Sequence, residues 1–436
     1  MDLLERLERG EACMAVVGLG YVGLPLAVAF ARRFHVIGYD RNAAKAAALA
    51  AGNDPTGVAT REELQLASLE CTSEAARLRE AQFVLVAVPT PVHADKTPDL
   101  SPVTGATRTV GAHLAKGSIV VYESTVYPGV TEDVCVPILE AESGLAAGRD
   151  FKVGYSPERI NPGDKVHTLQ NIVKIVSGQD EAARAVIAAV YARVVDTVFP
   201  VSSIRVAEAA KLVENTQRDV NIAFLNELSV IFHRMGIDTQ EVVRAMDTKW
   251  NALGFRPGLV GGHCIGVDPY YLIHQAERCG VHPRLVAASR QTNDAMADFI
   301  VRAAVRELVR AKTDLKNARV YVLGLTFKED CPDVRNSRAV DIYDGLSDYA
   351  LAPLAVDPVA DRAALAAARD VRLAGLDEVH DADALVILVA HAAFRALSWE
   401  RLAAMYAPGG AHVLIDAKQI FAPEEARAHG YRHWSL

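Results

Sequence analysis

The stretch MAVVGLGYVGLPLA, residues 14–27, determines how the rest of the chain is interpreted. An apolar, β-branched run is followed at once by a GxGxxG pattern and then by an apolar segment with helical spacing, an order typical of a strand, a tight turn and a helix. Gly18 allows the turn, Gly20 lets the backbone approach a ligand, and Gly23 permits close packing of the helix. The start of that helix would favour an anion such as a pyrophosphate.

A carboxylate follows at the spacing that a dinucleotide site requires. Asp40 ends the next apolar run, HVIGYD, about 20 residues beyond the glycines, where it would hydrogen-bond the adenine-ribose 2′-hydroxyl and repel a 2′-phosphate. The glycines alone would be a weak signal. Together with the strand, the helix and Asp40 they predict a Rossmann domain that binds NAD rather than NADP.

The same alternation of strand and helix patterns recurs along the chain. Short β-branched runs alternate with Ala-rich helical segments from Ala12 to about Pro200 and again from about Ala318, a pattern typical of doubly wound parallel sheets. Between them, Ser203 to Met235 keeps helical spacing until Gly236. We therefore predict an α/β fold with two Rossmann-like doubly wound domains joined by a long central helix. The expected domains are residues 1–200 for NAD binding, 201–310 for a central helical domain with a cysteine loop, and 311–436 for the C-terminal Rossmann-like domain.

Composition excludes several classes of function. The net charge of -8 gives no general attraction for phosphate backbones, so we expect no nucleic acid partner. Apolar runs such as Phe83 to Val88 are far shorter than the roughly 20 residues of a membrane-spanning helix, and the first residues do not resemble a signal peptide. We expect a cytoplasmic protein without a membrane partner.

Six cysteines without CxxC spacing suit neither a disulfide framework nor a zinc ribbon, and no metal is expected.

One cysteine lies in a setting that suits catalysis. The segment GLVGGHCIGVD, residues 258–268, places four glycines around Cys264, so its backbone can approach a ligand closely. A nearby helix N-terminus or lysine would lower the pKa of this thiol from its free value of about 8.5, and the thiolate is the reactive form. Cys264 is the candidate nucleophile. Asp268, followed by Pro269, fits a helix N-cap as well as a functional carboxylate. His263 lies next to Cys264, but we expect neither a Cys/His dyad nor a metal site from it.

The predicted central helix carries a second candidate group. Lys211 and Asn215 are four residues apart and share a helix face, where an ammonium and an amide could stabilise an oxyanion. The alternative is a solvated face with Glu208, Glu214 and Arg218 as ion-pair neighbours, and spacing alone favours that alternative.

Several ordered motifs give the chain a family resemblance over nearly its whole length. It resembles the UDP-glucose/GDP-mannose dehydrogenase family, which implies an NAD-binding Rossmann domain, a long central helix and a C-terminal domain that contributes to UDP-sugar binding, within a homodimer or larger assembly. The matching segments are VVGLGYVGLPLA (16–27), VPTP (88–91), ESTVYPG (123–129), SPERINPG (156–163), AEAAKLVENT (207–216), GGHCIGVDP (261–269) and GLTFKEDCPDVRNS (324–337).

The resemblance implies a two-step oxidation at C6 of the sugar. Cys264 would capture the aldehyde from the first hydride transfer as a thiohemiacetal, which a second NAD oxidises to a thioester that water hydrolyses.

Further roles follow from the same resemblance. Lys211 and Asn215 would stabilise oxyanions, Asp268 would assist proton transfer, and Thr125 with Glu158 would place water or handle protons. The residues implied for NAD are Gly18, Gly20, Tyr21, Val22, Gly23, Asp40, Arg41, Pro89, Thr90, Ser124, Thr125 and Arg335. Those implied for the UDP-sugar substrate are Glu158, Arg159, Lys211, Asn215, Arg256, Gly258, Gly261 and Lys328.

The sugar is suggested by a single loop. DTKWN followed by FRPGLVGGHCIGVDPYYL is most similar to bacterial UDP-N-acetylglucosamine or UDP-N-acetylgalactosamine 6-dehydrogenases that feed surface polysaccharides. UDP-glucose enzymes usually lack the His before the Cys, whereas UDP-N-acetylmannosamine dehydrogenases share GGHC, so both stay as alternatives. The rival enzyme class is a β-hydroxyacid dehydrogenase of the 6-phosphogluconate type, which transfers one hydride without a thiol. A non-enzymatic NAD sensor would have lost the chemical residues that this chain retains.

Overall fold

The computed structural model describes residues 3–160 and 166–436, and in it the apolar runs before residue 201 form one eight-stranded sheet. The strands are short and, in the middle of the sheet, buried along their length, which is typical of parallel strands covered on both faces. They are β1 Cys13–Val17, β2 Val36–Tyr39, β3 Leu69–Thr72, β4 Ala81–Val86, β5 Ile119–Tyr122, β6 Lys152–Tyr155, β7 Val173–Gly178 and β8 Thr197–Pro200.

The strand order of this sheet is β3-β2-β1-β4-β5-β6-β7-β8, which begins with the order of a dinucleotide-binding Rossmann sheet. The order reverses between β1 and β4, and ligands bind at the carboxyl ends of the strands at such a reversal. All pairings are parallel except that of β6 with β7. This antiparallel pairing departs from the predicted parallel sheet. Because β7 runs against β6, the first residues of β7 lie beyond the carboxyl end of β6.

A second sheet follows the central part of the chain. Its strands are β9 Val320–Leu323, β10 Leu354–Val356, β11 Ala384–Ile387, β12 Val413–Asp416 and β13 Arg432–Ser435, all parallel, in the order β10-β9-β11-β12-β13. That is the other common doubly wound order, in which the reversal lies between β9 and β11. The predicted α/β class with two doubly wound sheets is confirmed.

Helices flank both sheets and connect them. In chain order they are α1 Leu3–Glu8, α2 Gly23–Ala31, α3 Ala43–Ala50, α4 Arg61–Leu64, α5 Ser101–Gly111, α6 Val136–Ser143, α7 Glu181–Tyr191, α8 Ile204–Met235, α9 Thr239–Asp247, α10 Asp268–Arg278, α11 Arg284–Asp294, α12 Met296–Arg310, α13 Arg338–Asp348, α14 Arg362–Ala368, α15 Ala392–Arg395, α16 Trp399–Ala403 and α17 Pro423–Ala428. None of them, over the described residues, combines the length and the apolar character that crossing a membrane requires.

The predicted long helix is α8, of 32 residues. It stops at Gly236, whose φ of +73° lies in the left-handed region that glycine adopts without a steric penalty. The chain divides into two compact units, Met1–Glu214 with Tyr270–Val281, and Asn215–Pro269 with His282–Leu436. The three domain boundaries expected from the sequence stay a prediction.

Three strands had no counterpart among the predicted ones, and all three are sheet edges. β3, β8 and β13 contribute few buried positions, so their sequences LECT, TVFP and RHWS lack the apolar run that identifies a buried strand.

Candidate active site

The glycine turn after β1 has the geometry that the three glycines predict. Gly18 has a φ of +94° and donates its amide to the Tyr39 carbonyl at 2.8 Å. A methyl group on Gly23 would lie 1.8 Å from the Gly18 carbonyl oxygen, whereas one on Gly20 would meet no atom within 4 Å. The backbone at Gly20 is therefore open to a ligand, and α2 begins directly behind it. This is the arrangement that holds a dinucleotide pyrophosphate.

Asp40 connects the end of β2 to this turn. Its carboxylate accepts hydrogen bonds from the backbone amides of Leu19 at 3.1 Å and Asn42 at 3.0 Å, and its Oδ2 lies 3.1 Å from Lys45 Nζ. Burial opposes ionisation, yet these donors together hold the pKa of Asp40 below its ordinary value. A carboxylate can accept about four hydrogen bonds, so Asp40 keeps acceptor capacity for a ribose hydroxyl.

The other residues expected near NAD differ in accessibility. Tyr21, Arg41 and Pro89 are exposed, Val22 precedes the first residue of α2, and Thr90 and Thr125 are half-buried. Ser124 is buried, and its hydroxyl accepts from the Val88 amide at 2.9 Å and donates to the Val88 carbonyl at 2.8 Å. Ser124 thus fixes the loop after β4 to the loop after β5.

Glu158 lies in a buried group of charges that the sequence did not reveal. Lys174, wholly buried in β7, places its Nζ 2.5 Å from Glu123 Oε2, 2.9 Å from the Pro157 carbonyl and 3.7 Å from Glu158 Oε2. The Tyr191 hydroxyl donates to the other oxygen of Glu123. Burial raises the pKa of Glu123 above its ordinary value, against the lowering effect of Lys174.

The two oxygens of Glu158 have different surroundings. Oε1 accepts the backbone amides of Arg159 and Ile160, whereas Oε2 is buried and has no hydrogen-bond partner among the described residues. Arg159 donates to Glu214 at 3.0 Å and to the Val173 carbonyl at 2.8 Å. The last three residues of SPERINPG, 161–163, lie outside the described residues.

The first half of α8 does not have the solvated face that spacing alone favoured. Lys211 is buried and lies 4.0 Å from Glu214. Glu208 is also buried, and its carboxylate accepts the backbone amides of Gly129 at 2.7 Å and Thr131 at 3.0 Å. Burial raises the pKa of Glu208 to about 7. Glu208 therefore holds the loop that follows the predicted Thr125 site.

In the second unit, Cys264 lies on an exposed turn directly before α10. Its carbonyl accepts the amides of Val267 at 3.0 Å and Asp268 at 2.8 Å. Asp268 is buried at the first residue of α10 and accepts the side-chain amide of Asn215, whose oxygen in turn accepts from Arg218. Two predicted catalytic residues that are far apart in sequence, Asn215 and Asp268, are thus in contact.

The other cysteines differ from Cys264. Burial raises the pKa values of Cys13, Cys71 and Cys135 to about 11, which keeps these thiols protonated and unreactive. Cys279 is exposed, at the end of α10, and Cys331 is half-buried.

The backbone of the cysteine loop is anchored at two places. The Asn226 side chain accepts the Gly258 amide at 2.8 Å and donates to the Gly258 carbonyl at 3.0 Å, and it also donates to Asn293 at 2.8 Å. At Gly261 a methyl group would lie 2.6 Å from the Asn336 carbonyl oxygen. Gly258 is therefore held by the side chain of Asn226, and Gly261 packs closely against the backbone at Asn336.

Asp333 links the cysteine turn to the loop that carries Arg335. The imidazole Nε2 of His263 lies 3.0 Å from Asp333 Oδ2, and Arg335 binds the same carboxylate through Nη2 at 2.7 Å. These partners hold the pKa of Asp333 well below its ordinary value against the effect of burial. Lys328 is half-buried, with its Nζ 5.6 Å from the centre of the Phe327 ring.

Arg256 lies on the segment before the cysteine turn, where its Nη2 lies 2.5 Å from Asp247 Oδ2.

No group of three His, Cys, Asp or Glu side chains within residues 3–160 and 166–436 is arranged to hold a metal ion.

Sequence reasoning missed Lys174, Glu123, Asn226 and Asp333. One signal was available for Lys174, because a lone lysine in the apolar run NIVKIVSG contradicts a wholly buried strand unless a partner compensates its charge. No local pattern distinguishes Asn226 from the other polar residues of α8.

Comparison with protein families divides the chain into three matched segments. Residues 12–195 match the NAD-binding domain of the UDP-glucose/GDP-mannose dehydrogenase family, residues 205–295 its central domain, and residues 321–423 its UDP-binding domain.

Relatives with described functions match nearly end to end. The UDP-N-acetyl-D-glucosamine 6-dehydrogenase of Salmonella typhi is 44% identical over 420 residues, 95% of this chain and 98% of the relative. The enzyme of the same name from Pseudomonas aeruginosa is 45% identical over 416 residues, with the same coverage.

Solved structures agree in fold. The UDP-D-ManNAc dehydrogenase of Pyrococcus horikoshii has a TM-score of 0.87 at 30% identity and covers 97% of this chain and 98% of its own. The NDP-N-acetyl-D-galactosaminuronic acid dehydrogenase of Methanosarcina mazei Go1 has a TM-score of 0.84 at 30% identity, covering 100% and 98%. With the glycine turn and the family matches over all three segments, the chain belongs to the UDP-glucose/GDP-mannose dehydrogenase family of NAD-dependent nucleotide-sugar dehydrogenases.

Proposed function

We propose that this enzyme oxidises the C6 hydroxyl of a UDP-N-acetylhexosamine, UDP-GlcNAc or UDP-GalNAc, to the uronate, for the synthesis of surface polysaccharide precursors. The observation that carries the proposal is the exposed Cys264 thiol on a glycine-rich turn whose next helix begins at the buried Asp268, itself in contact with Asn215. A thiol in this setting can bond to a C6 aldehyde and keep it until the second oxidation.

The chemistry balances over two oxidations. Bound NAD supplies the hydride acceptor for each of them, and the open backbone at Gly20 fits its pyrophosphate. Cys264 adds to the C6 aldehyde to give a thiohemiacetal, and the second oxidation turns that adduct into a thioester. Water then cleaves the thioester, which releases the carboxylate and regenerates the thiol.

The other predicted catalytic residues have roles that suit their chemistry. Asn215 and Lys211 would stabilise the oxyanions, because an amide and an ammonium are donors that need no reorganisation during reaction. Asp268, buried against Asn215, would hold or move a proton. Glu158 and Thr125 would place the attacking water, since Glu158 Oε2 is a buried acceptor without a protein donor among the described residues.

Binding roles are proposed for the remaining predicted residues. Lys328 and Arg335 would face the anionic ligands, as their charges suit phosphate groups. Gly258 and Gly261 would line the sugar with main-chain groups, and Arg256 and Arg159 would contact the substrate.

The preference for an N-acetylhexosamine is supported by the degree of similarity. The two UDP-N-acetyl-D-glucosamine 6-dehydrogenases are 44% and 45% identical to this chain, whereas the UDP-N-acetyl-D-mannosamine dehydrogenases of Pyrococcus horikoshii and Escherichia coli (strain K12) are 32% and 34% identical. UDP-ManNAc and UDP-glucose are the alternatives that an assay must exclude.

We also propose that the enzyme forms a homodimer or a larger assembly. Phe224, Ile231 and Met235 on α8 are 55%, 44% and 62% exposed, and apolar side chains spaced by seven and four residues on one helix form a stripe that a second helix can cover. The cytoplasmic location expected from the sequence stays a prediction.

The test is the number of NADH molecules formed per sugar consumed, with UDP-GlcNAc, UDP-GalNAc, UDP-ManNAc and UDP-glucose supplied separately. We expect two with an N-acetylglucosamine or N-acetylgalactosamine substrate. One NADH per sugar would indicate a single-hydride enzyme of the β-hydroxyacid dehydrogenase type. No NADH from any of them would exclude the proposed activity.

Two cysteine variants test the thioester step. Cys264→Ser should lower turnover by several orders of magnitude, because a serine hydroxyl is a much poorer nucleophile at neutral pH. Cys279→Ser is the matched control, since Cys279 is also exposed but lies outside the turn. Near-normal oxidation to the uronate by Cys264→Ser would contradict the mechanism.

A further inference from the structure

Lys174 is a buried cation next to Glu158 that has no part in the reaction steps of the proposed function. It is wholly buried in β7, where an uncompensated ammonium would be strongly unfavourable. Its partners are Glu123 at 2.5 Å, the Pro157 carbonyl at 2.9 Å and Glu158 Oε2 at 3.7 Å. A lysine with this set of contacts is positioned to control Glu158.

The antiparallel β7 explains how these groups meet. Gly154 pairs with Gly178 and Tyr155 with Ser177, so continuing that register brings Lys174 beside Glu158, beyond the carboxyl end of β6. Glu123 directly follows β5, the neighbouring strand. A parallel β7 would have placed its first residues at the opposite edge of the sheet.

The charges of the group do not balance. Among the described residues, the two carboxyl groups of Glu123 and Glu158 face one ammonium, and the other groups in contact with these three side chains are the Tyr191 hydroxyl on α7, the carbonyls of Ser156 and Pro157, and the backbone amides of Arg159 and Ile160. The guanidinium of Arg159 itself faces Glu214 of α8. Loss of either Lys174 or Glu123 therefore changes the charge that Glu158 experiences, and in opposite directions.

We propose that Lys174 is a positioning residue that holds Glu158 in place through the Pro157 carbonyl and places a positive charge beside the Glu158 carboxylate, a charge that it shares with Glu123. The inference rests on the proposed function in so far as Glu158 acts on water or protons during turnover.

The pH dependence of kcat tests this arrangement. In Lys174→Met the positive charge beside the two carboxyl groups is lost, so the acid limb of the profile should move up by about one pH unit. In Glu123→Gln the ammonium is left with Glu158 as its carboxylate partner, so the acid limb should move down. A residue with a merely structural role would lower kcat without opposite displacements of the acid limb.

The double variant Lys174→Met/Glu123→Gln removes one charge of each sign. It should be closer to wild type than Lys174→Met in both kcat and acid limb. Acid limbs that stay in place, or move the same way in both single variants, would overturn the proposal. If Lys174→Met does not fold, Glu123→Gln alone decides, because its acid limb must move down.

A second measurement is independent of activity. The thermal midpoint of Lys174→Met should fall more steeply between pH 5 and pH 8 than that of wild type, because the buried carboxyl group of Glu123 then ionises without a cation. The double variant should recover part of the loss. A wild type that oxidises no nucleotide sugar would refute the proposed function, whereas equal midpoint slopes would refute the role of Lys174.

Discussion

Two glycines of one turn should respond to the same substitution in opposite ways. A methyl group on Gly23 would lie 1.8 Å from the Gly18 carbonyl oxygen, a backbone atom that cannot rotate away, whereas a methyl group on Gly20 would meet no atom within 4 Å. Overpacking costs about 1–3 kcal/mol and occasionally more, so Gly23→Ala should lower the melting temperature by roughly 5 °C or more. Gly20→Ala should not destabilise the fold, since Gly20 has no left-handed φ.

Gly20→Ala should weaken cofactor binding although it leaves the fold stable. The methyl group of Gly20→Ala would occupy the space through which the backbone approaches the pyrophosphate, so NAD should bind at least about tenfold more weakly, equivalent to roughly 1.4 kcal/mol. Calorimetric titration with NAD and thermal unfolding of the same preparations separate the two effects. Wild-type affinity for NAD in Gly20→Ala, or equal stability of both variants, would refute the reasoning.

Three further predictions concern the anchor of the cysteine loop, the buried Glu208 and the exposure of the thiols. Asn226→Ala leaves the amide and carbonyl of Gly258 unpaired, so it should cost about 1–3 kcal/mol in urea unfolding and raise KM for the sugar nucleotide; an unchanged KM would contradict a role for this anchor. Burial raises the pKa of Glu208 to about 7, above its ordinary value of 4.5. Between these two pH values the folded protein retains a proton that the unfolded chain loses, so the free energy of unfolding should fall as pH rises from about 4.5 to 7. Glu208→Gln should flatten that slope, and equal slopes would argue against it. Brief alkylation followed by mass spectrometry should label Cys264 and Cys279 before the buried Cys13 and Cys135, with the sugar nucleotide protecting Cys264 but not Cys279.

Much of the fold was predictable because its signals are local. The apolar runs of the buried strands, the glycine turn and the long Gly- and Pro-free helix each occupy a few consecutive residues, and the structure contains all of them. Strands β3, β8 and β13 were missed because a sheet edge buries few side chains. The orientation of β7 was also missed, since a strand sequence reads the same whether its neighbour runs with it or against it.

The sequence alone determined the family and the NAD cofactor, and it predicted the NAD-site glycines and the candidate nucleophile. Each of these depends on residue types at fixed short spacings: Gly18, Gly20, Gly23 and the glycines around Cys264. Tertiary structure alone decided which of the polar residues are partners. The contact of Asn215 with Asp268 and that of Lys174 with Glu123 join residues 53 and 51 positions apart. Burial raises the pKa of Glu123 and demands a partner for Lys174, and both effects depend on what surrounds a charge in space, which no local pattern records.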